Sequence, residues 1–139
     1  MLAMTLAAGL HASPVFVVSE PWVRPAARGA TTLAYLDITS SEHVALTGAR
    51  SAAAARAAVV DRQGRVVPSL DLPPGTLVRL AADGPHLQLS ALSQTLKVGD
   101  HVAITLVLRD PAGAEQVLDV DAEVRLHSPS HDHHVPHAH

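Results

Sequence analysis

Histidines are concentrated at the carboxyl end of the chain. Residues 127–139 read HSPSHDHHVPHAH and hold six of the ten histidines. Imidazoles are good ligands for Cu(II), Ni(II) and Zn(II), and short His-rich tracts are typical of metal binding. A flexible segment with this spacing can place several nitrogens around one ion, which makes candidate ligands of His127, His131, His133, His134, His137 and His139. An inert solvated tail, or the remnant of an affinity tag, is the alternative interpretation, although tags are usually uninterrupted runs of His.

The composition indicates one globular domain with appendages. At 139 residues the chain has the usual size of a single domain, and its 47% apolar residues are enough for a core. The basic residues are scattered and the formal net charge is −3, so nucleic-acid binding is not expected. The absence of cysteine excludes disulfides, thiolate metal sites and cysteine nucleophiles within these residues.

The amino-terminal residues resemble a secretion signal. Residues 2–10 form a short apolar run, and small residues around position 12 offer a cleavage point, although no positively charged region precedes the run. The run is too short to span a bilayer. We therefore predict a signal peptide over residues 1–12, an exported periplasmic protein and no membrane span in the mature chain.

The rest of the sequence is typical of an all-β domain over residues 13–126. Short apolar or alternating segments recur between turn residues, as in a β-sandwich or barrel. About eight strands are predicted, and the candidate segments are residues 15–18, 31–39, 43–50, 56–60, 65–67, 76–80, 86–89, 101–109 and 116–125. The segments 56–60 and 65–67 flank a hairpin-like turn. Residues 51–58, which are rich in Ala, fit either a helical turn or a loop. The rings of Trp22 and Tyr35 are expected to fill the core.

Several segments in series resemble the periplasmic copper chaperone family PCu(A)C. The matching pieces are EPWVRP at 20–25, AYLDIT at 34–39, ALTGA at 45–49, LPPG at 72–75, LAADGPHL at 80–87, LSQTLKVGD at 92–100 and ITLVL at 104–108. The resemblance implies a cupredoxin-like, Greek-key β-sandwich, here followed by a disordered His-rich tail over residues 127–139. It also implies copper delivery to the CuA centre of cytochrome oxidase.

The copper ligands of that family are only partly present. Its pattern, H-(x)10-M-(x)21-H-x-M, places a second His on His86. The last Met of the pattern falls on Gln88, the first Met falls on or near Val66, and the first His falls within residues 54–58, where no ligand residue occurs. Thioethers select Cu(I), so their absence removes the family's Cu(I) site from the domain.

Two kinds of function follow from these observations. In the first, the protein binds copper, as Cu(I) or Cu(II), mainly through the His-rich tail with help from His86, and its partner is a cytochrome oxidase subunit or another copper chaperone. A zinc or nickel scavenger would use the same ligands. In the second, the sandwich is a protein-interaction module without metal, and His86 is a core or turn imidazole bonded to backbone. No catalytic motif is found, and an enzyme is not expected.

Overall fold

The computed structural model describes residues 13–129, in which the regular elements are nine β-strands. The predicted signal peptide and most of the predicted tail lie outside these residues. No helix within residues 13–129 is long and apolar enough to cross a membrane. The strands are β1 Phe16–Val23, β2 Thr32–Ser40, β3 Val44–Arg50, β4 Ala54–Val60, β5 Leu70–Leu72, β6 Val78–Leu80, β7 His86–Leu92, β8 His101–Arg109 and β9 Glu115–Val124.

The strands form one curled sheet with two antiparallel halves. The hydrogen-bonded order is β4-β7-β2-β1-β9-β8-β3-β5, and β6 pairs with β2 beyond the end of β7. The halves are joined by a short parallel pairing, in which Trp22 and Val23 of β1 face Glu123 and Val124 of β9. Curling about this junction places the apolar faces of both halves against each other. The predicted all-β, cupredoxin-like class is thereby confirmed.

A single apolar core fills the space between the halves. Strand β8 shows how the sequence produces it, because Val102, Ile104, Leu106 and Leu108 alternate with more exposed residues and are each at most 2% exposed. Side chains of a strand point alternately to opposite faces, so one face of β8 is entirely apolar. Burial of each such side chain contributes about 1.5–3 kcal/mol.

Two details differ from the expected strands. The Ala-rich segment is neither helical nor a loop over most of its length, since β4 begins at Ala54 and pairs with β7 throughout. Residues 65–67 form only an isolated bridge, in which Val66 pairs with Val60, instead of a strand. The turn between them is as predicted: the N–H of Asp61 donates to the carbonyl of Arg65 (2.8 Å), and the N–H of Gly64 donates to that of Asp61 (2.9 Å).

Candidate functional site

His86 is the first residue of β7 and is only 6% exposed. It follows a Gly-Pro turn, and its Nδ1 lies 2.9 Å from the carbonyl oxygen of Gly84. A carbonyl can only accept, so Nδ1 carries the hydrogen in the neutral ring and Nε2 keeps its lone pair. Within residues 13–129, every fully buried side-chain nitrogen or oxygen has a hydrogen-bond partner. Nε2 of His86 has no such partner among these residues, so this atom is not fully buried and keeps some contact with solvent.

The bond to Gly84 is the one expected of a turn imidazole bonded to backbone. It is also the arrangement that metal-binding histidines usually adopt, because a bond at one ring nitrogen fixes the tautomer and the orientation of the other. The geometry of Nδ1 is therefore compatible with both interpretations of His86. What distinguishes them is which groups can approach Nε2.

Two aromatic rings extend from His86 along the outer face of the sheet. The ring of Tyr35 meets the His86 ring edge-on at 5.9 Å between centroids, and Trp22 lies 4.9 Å from Tyr35 with its plane tilted by 48°. Trp22 and Tyr35 are paired residues of β1 and β2. Both are at least nine-tenths buried, yet neither belongs to the core between the two halves of the sheet. The expectation that both rings are buried core residues is confirmed, although they pack outside the main apolar cluster.

The position of Trp22 depends on an irregularity in β1. The pairing register of β1 with β2 shifts between Ser19 and Trp22, and Glu20 at this point has a φ of +54°. Few residues other than glycine adopt this left-handed conformation, and a bulge of this kind redirects the side chains that follow it. As a result Val23 is fully buried in the core while Trp22 points to the outer face.

A cleft of about 210 Å³ opens beside these rings, and we call it the Trp22 cleft. Arg79 lines the cleft and donates hydrogen bonds to both carboxylate oxygens of Asp37, from Nε at 3.1 Å and from Nη2 at 3.4 Å. The hydrogen bonds that Arg79 donates to Asp37, and the negative charges of Asp37, Glu20 and Asp83, raise the pKa of the Arg79 guanidinium. Among the residues that line the cleft are Glu20, Trp22, Arg24, Tyr35, Asp37 and Ser128.

The positions that correspond to the family's copper ligands lie close to His86. Gln88 is two residues further along β7 and therefore points to the same face. His86 pairs with Val60, and Val60 pairs in turn with Val66, which is 67% exposed. The fold thus keeps these positions together, but Gln88 offers an amide and Val66 an alkyl group. Within residues 13–129 no group of three or more His, Cys, Asp or Glu residues is arranged to hold a metal ion.

The predicted tail ligands are described only at their start. His127 lines a small cavity with Val98 and Leu126, and its carbonyl oxygen accepts a hydrogen bond from Nε of Arg125 (3.3 Å). Ser128 lines the Trp22 cleft, so the chain passes this cleft as it leaves the domain. The remaining candidates, His131, His133, His134, His137 and His139, lie outside the described residues, and metal binding by the tail stays a prediction.

The two other histidines within residues 13–126 are exposed, and each lies within hydrogen-bond distance of a carboxylate. Nε2 of His43 lies 3.0 Å from Oδ1 of Asp71, and Nδ1 of His101 lies 3.0 Å from Oδ2 of Asp121. Each follows an acidic residue in the sequence, Glu42 before His43 and Asp100 before His101. Their actual partners come from other strands, which sequence adjacency could not indicate.

Solved structures of PCuAC domains share this fold. The apo PCuAC domain from PmoF1 superimposes with a TM-score of 0.67 at 23% identity, over 79% of this chain and 92% of that domain. The copper-bound PCuAC domain from PmoF2 gives 0.66 at 24% identity, over 83% and 96%. The solution structure of Cu(I)-DR1885 from Deinococcus radiodurans gives 0.64 at 29% identity, over 88% and 85%.

These likenesses place the domain among the PCuAC-type β folds. No curated protein sequence matches the chain. A family model described as "Putative lipoprotein LpqE-like" matches residues 16–129, which is nearly the whole described domain. The chain belongs to this LpqE-like family, and the resemblance to PCu(A)C proteins seen in the sequence is confirmed.

Proposed function

We propose that the protein is an exported, periplasmic copper chaperone-like protein that carries copper on imidazoles from its carboxyl-terminal tail together with Nε2 of His86. Copper is the cargo and the protein acts by binding and transfer, not by catalysis. The observation that carries the proposal is that His86 presents one bonded and one open nitrogen on the face where the family's copper-ligand positions meet.

The chain length after Ser128 is sufficient for a shared site. Ser128 and Tyr35 line the same cleft, and the ring of Tyr35 touches that of His86. An extended chain covers about 3.3–3.6 Å per residue, so His131 can lie up to about 10 Å from Ser128 and the later histidines further. A short tether of this kind gives the tail an effective concentration in the millimolar range over the nearby surface.

The donor set determines the choice of ion. After residue 12 the sequence has neither Met nor Cys, so nitrogen and oxygen atoms are the donors available. An imidazole site binds divalent copper more tightly than zinc or nickel, following the Irving–Williams order. Zinc or nickel would therefore occupy the same ligands only where copper is scarce.

The proposed recipient is supported by the resemblance to the PCu(A)C family alone. We propose a cytochrome oxidase subunit, at its CuA centre, or another copper chaperone. The replacement of the ligand positions by Val66 and Gln88 favours a second candidate function, in which the domain contacts protein partners without metal.

Calorimetric titration of the full chain with Cu(II), and with Cu(I) under reductant, tests the proposal. Deletion of residues 130–139 should abolish tight binding. Loss of an outer-shell partner alone lowers metal affinity about 10–100-fold, so removal of a direct ligand by His86→Phe should cost at least that much. His101→Ala, which removes an exposed imidazole elsewhere, should leave the affinity unchanged.

Each contrary result has a definite meaning. Unchanged affinity after the deletion would refute binding by the tail, and unchanged affinity in His86→Phe would remove His86 from the site. Absence of copper binding by the intact chain would refute the proposal and favour the protein-interaction module. Circular dichroism of each variant shows whether the domain remains folded.

A further inference from the structure

We infer that the Trp22 cleft is a docking site for the protein's own carboxyl-terminal residues 130–139, and that this docking occurs without metal. It is an intramolecular contact separate from copper binding. Three observations support it: where the chain leaves the domain, which surface the cleft offers, and which charges surround it.

The path of the chain favours this occupant over a separate partner. Ser128 lines the cleft, so the segment 130–139 begins two residues after a residue of the cleft wall. Any other ligand must compete with a segment that is covalently held there at millimolar effective concentration. A contact too weak to be seen between separate molecules is therefore populated within the chain.

The aromatic wall of the cleft suits the side chains of the tail. Trp22 and Tyr35 line the cleft, each with at most 9% of its surface exposed, and they are two of the chain's three residues of the Phe, Trp and Tyr type. Imidazole rings pack against such rings, as His86 already does against Tyr35. The segment 130–139 offers five imidazoles and the apolar pair Val135 and Pro136.

The carboxylates at the cleft can accept hydrogen bonds from the tail. Glu20 and Asp37 line the cleft together with the cations Arg24 and Arg79. Asp83 lies near enough to Arg79 to help raise the pKa of its guanidinium. Carboxylates only accept hydrogen bonds, whereas each imidazole of the tail can donate at least one. The tail has five such donors against one acidic side chain, Asp132.

Nuclear magnetic resonance of the metal-free protein in the presence of EDTA tests this inference. Trp22 is the only tryptophan, so its indole N–H signal needs no assignment. Truncation after Pro129 should shift that signal and the backbone amide signals of cleft residues such as Ala81. A synthetic peptide of residues 130–139, added at millimolar concentration to the truncated protein, should move these signals back towards their positions in the full chain.

The control is a peptide in which all five histidines are replaced by glutamine, and it should bind at least tenfold more weakly. The inference is overturned if truncation leaves the Trp22 and cleft signals unmoved, if it shifts only signals around Val98 and Leu126, or if the peptide has no effect. Equal binding of the control peptide would overturn the assigned role of the imidazoles. All of these measurements are made without copper, so a negative result is distinct from failure of the copper titration.

Discussion

Removal of the Tyr35 ring should destabilise the domain more than its position outside the main core suggests. Tyr35 is 5% exposed and lies between two other rings, those of Trp22 and His86. The variant Tyr35→Ala removes both ring contacts and opens a cavity on the outer face of the sheet. The variant Tyr35→Phe keeps both contacts and removes only the hydroxyl.

The expected cost follows from the ring's burial and contacts. Truncation of a buried aromatic side chain to Ala costs about 3–5 kcal/mol, including the cavity that remains. Each of the two ring pairs accounts for about 0.5–1.5 kcal/mol of this beyond the buried area. For a domain of this size the loss corresponds to a fall in Tm of roughly 10–20 °C. The variant Tyr35→Phe keeps the ring and both ring contacts, so it should change stability by less than about 0.5 kcal/mol.

Urea unfolding, followed by circular dichroism and by Trp22 fluorescence, measures these differences. A double-mutant cycle of Tyr35→Ala with Trp22→Ala isolates the contact between the two rings, with an expected coupling of about 0.5–1.5 kcal/mol. A cost below about 1.5 kcal/mol for Tyr35→Ala would refute the reasoning, since it is well under what burial of an aromatic ring implies. A cost in Tyr35→Phe equal to that in Tyr35→Ala would show that the hydroxyl, and not the ring, is responsible.

Two further predictions concern turns. Gly99 has a φ of +96° and donates its N–H to the carbonyl of Val124 at 2.9 Å. Because side chains rarely adopt this φ, Gly99→Ala should lower the free energy of unfolding, measured in urea, by about 1–3 kcal/mol. The control is Gly84→Ala, at a glycine without positive φ, which should cost less. The backbone N–H of Arg65 is the main cause that lowers the pKa of Asp61 below its usual 3.8. The resulting stabilisation is fully present once the pH is well above 3.8, and it is lost as the pH falls through the lowered pKa. The difference in free energy of unfolding between the native protein and Asp61→Asn, measured by urea unfolding at a series of pH values, should therefore stay constant above about pH 5 and shrink as the pH falls further.

The fold was predictable where the strands alternate. Strand β8 has the predicted bounds because its apolar residues occupy every second position from Val102 to Leu108. Strand β4 was predicted only from residue 56, because the run of alanines before it has no apolar period and its extended form depends on pairing with β7. Local sequence cannot predict a strand whose extended conformation depends on pairing with another strand.

The sequence did contain a signal for the outer position of Tyr35. In β2 the core residues are Ala34, Leu36 and Ile38, so Tyr35 shares its face with Asp37. Strict alternation along the strand would have assigned Tyr35 to the outer face, but ring size suggested the core. The bulge that turns Trp22 to the same face carries no comparable signal, because Glu20 is a residue that seldom adopts a positive φ.

The two interpretations of His86 require the same hydrogen bond at Nδ1 and different surroundings for Nε2. A structural imidazole needs only its bond to the Gly84 carbonyl, and its outer nitrogen can face water at little cost. A ligand needs that nitrogen where further donors can arrive. The chain leaves the domain at Ser128, on a cleft that it shares with Tyr35, the ring against which His86 lies. A structural role for His86 does not require this exit, whereas the proposed site shared with the tail does.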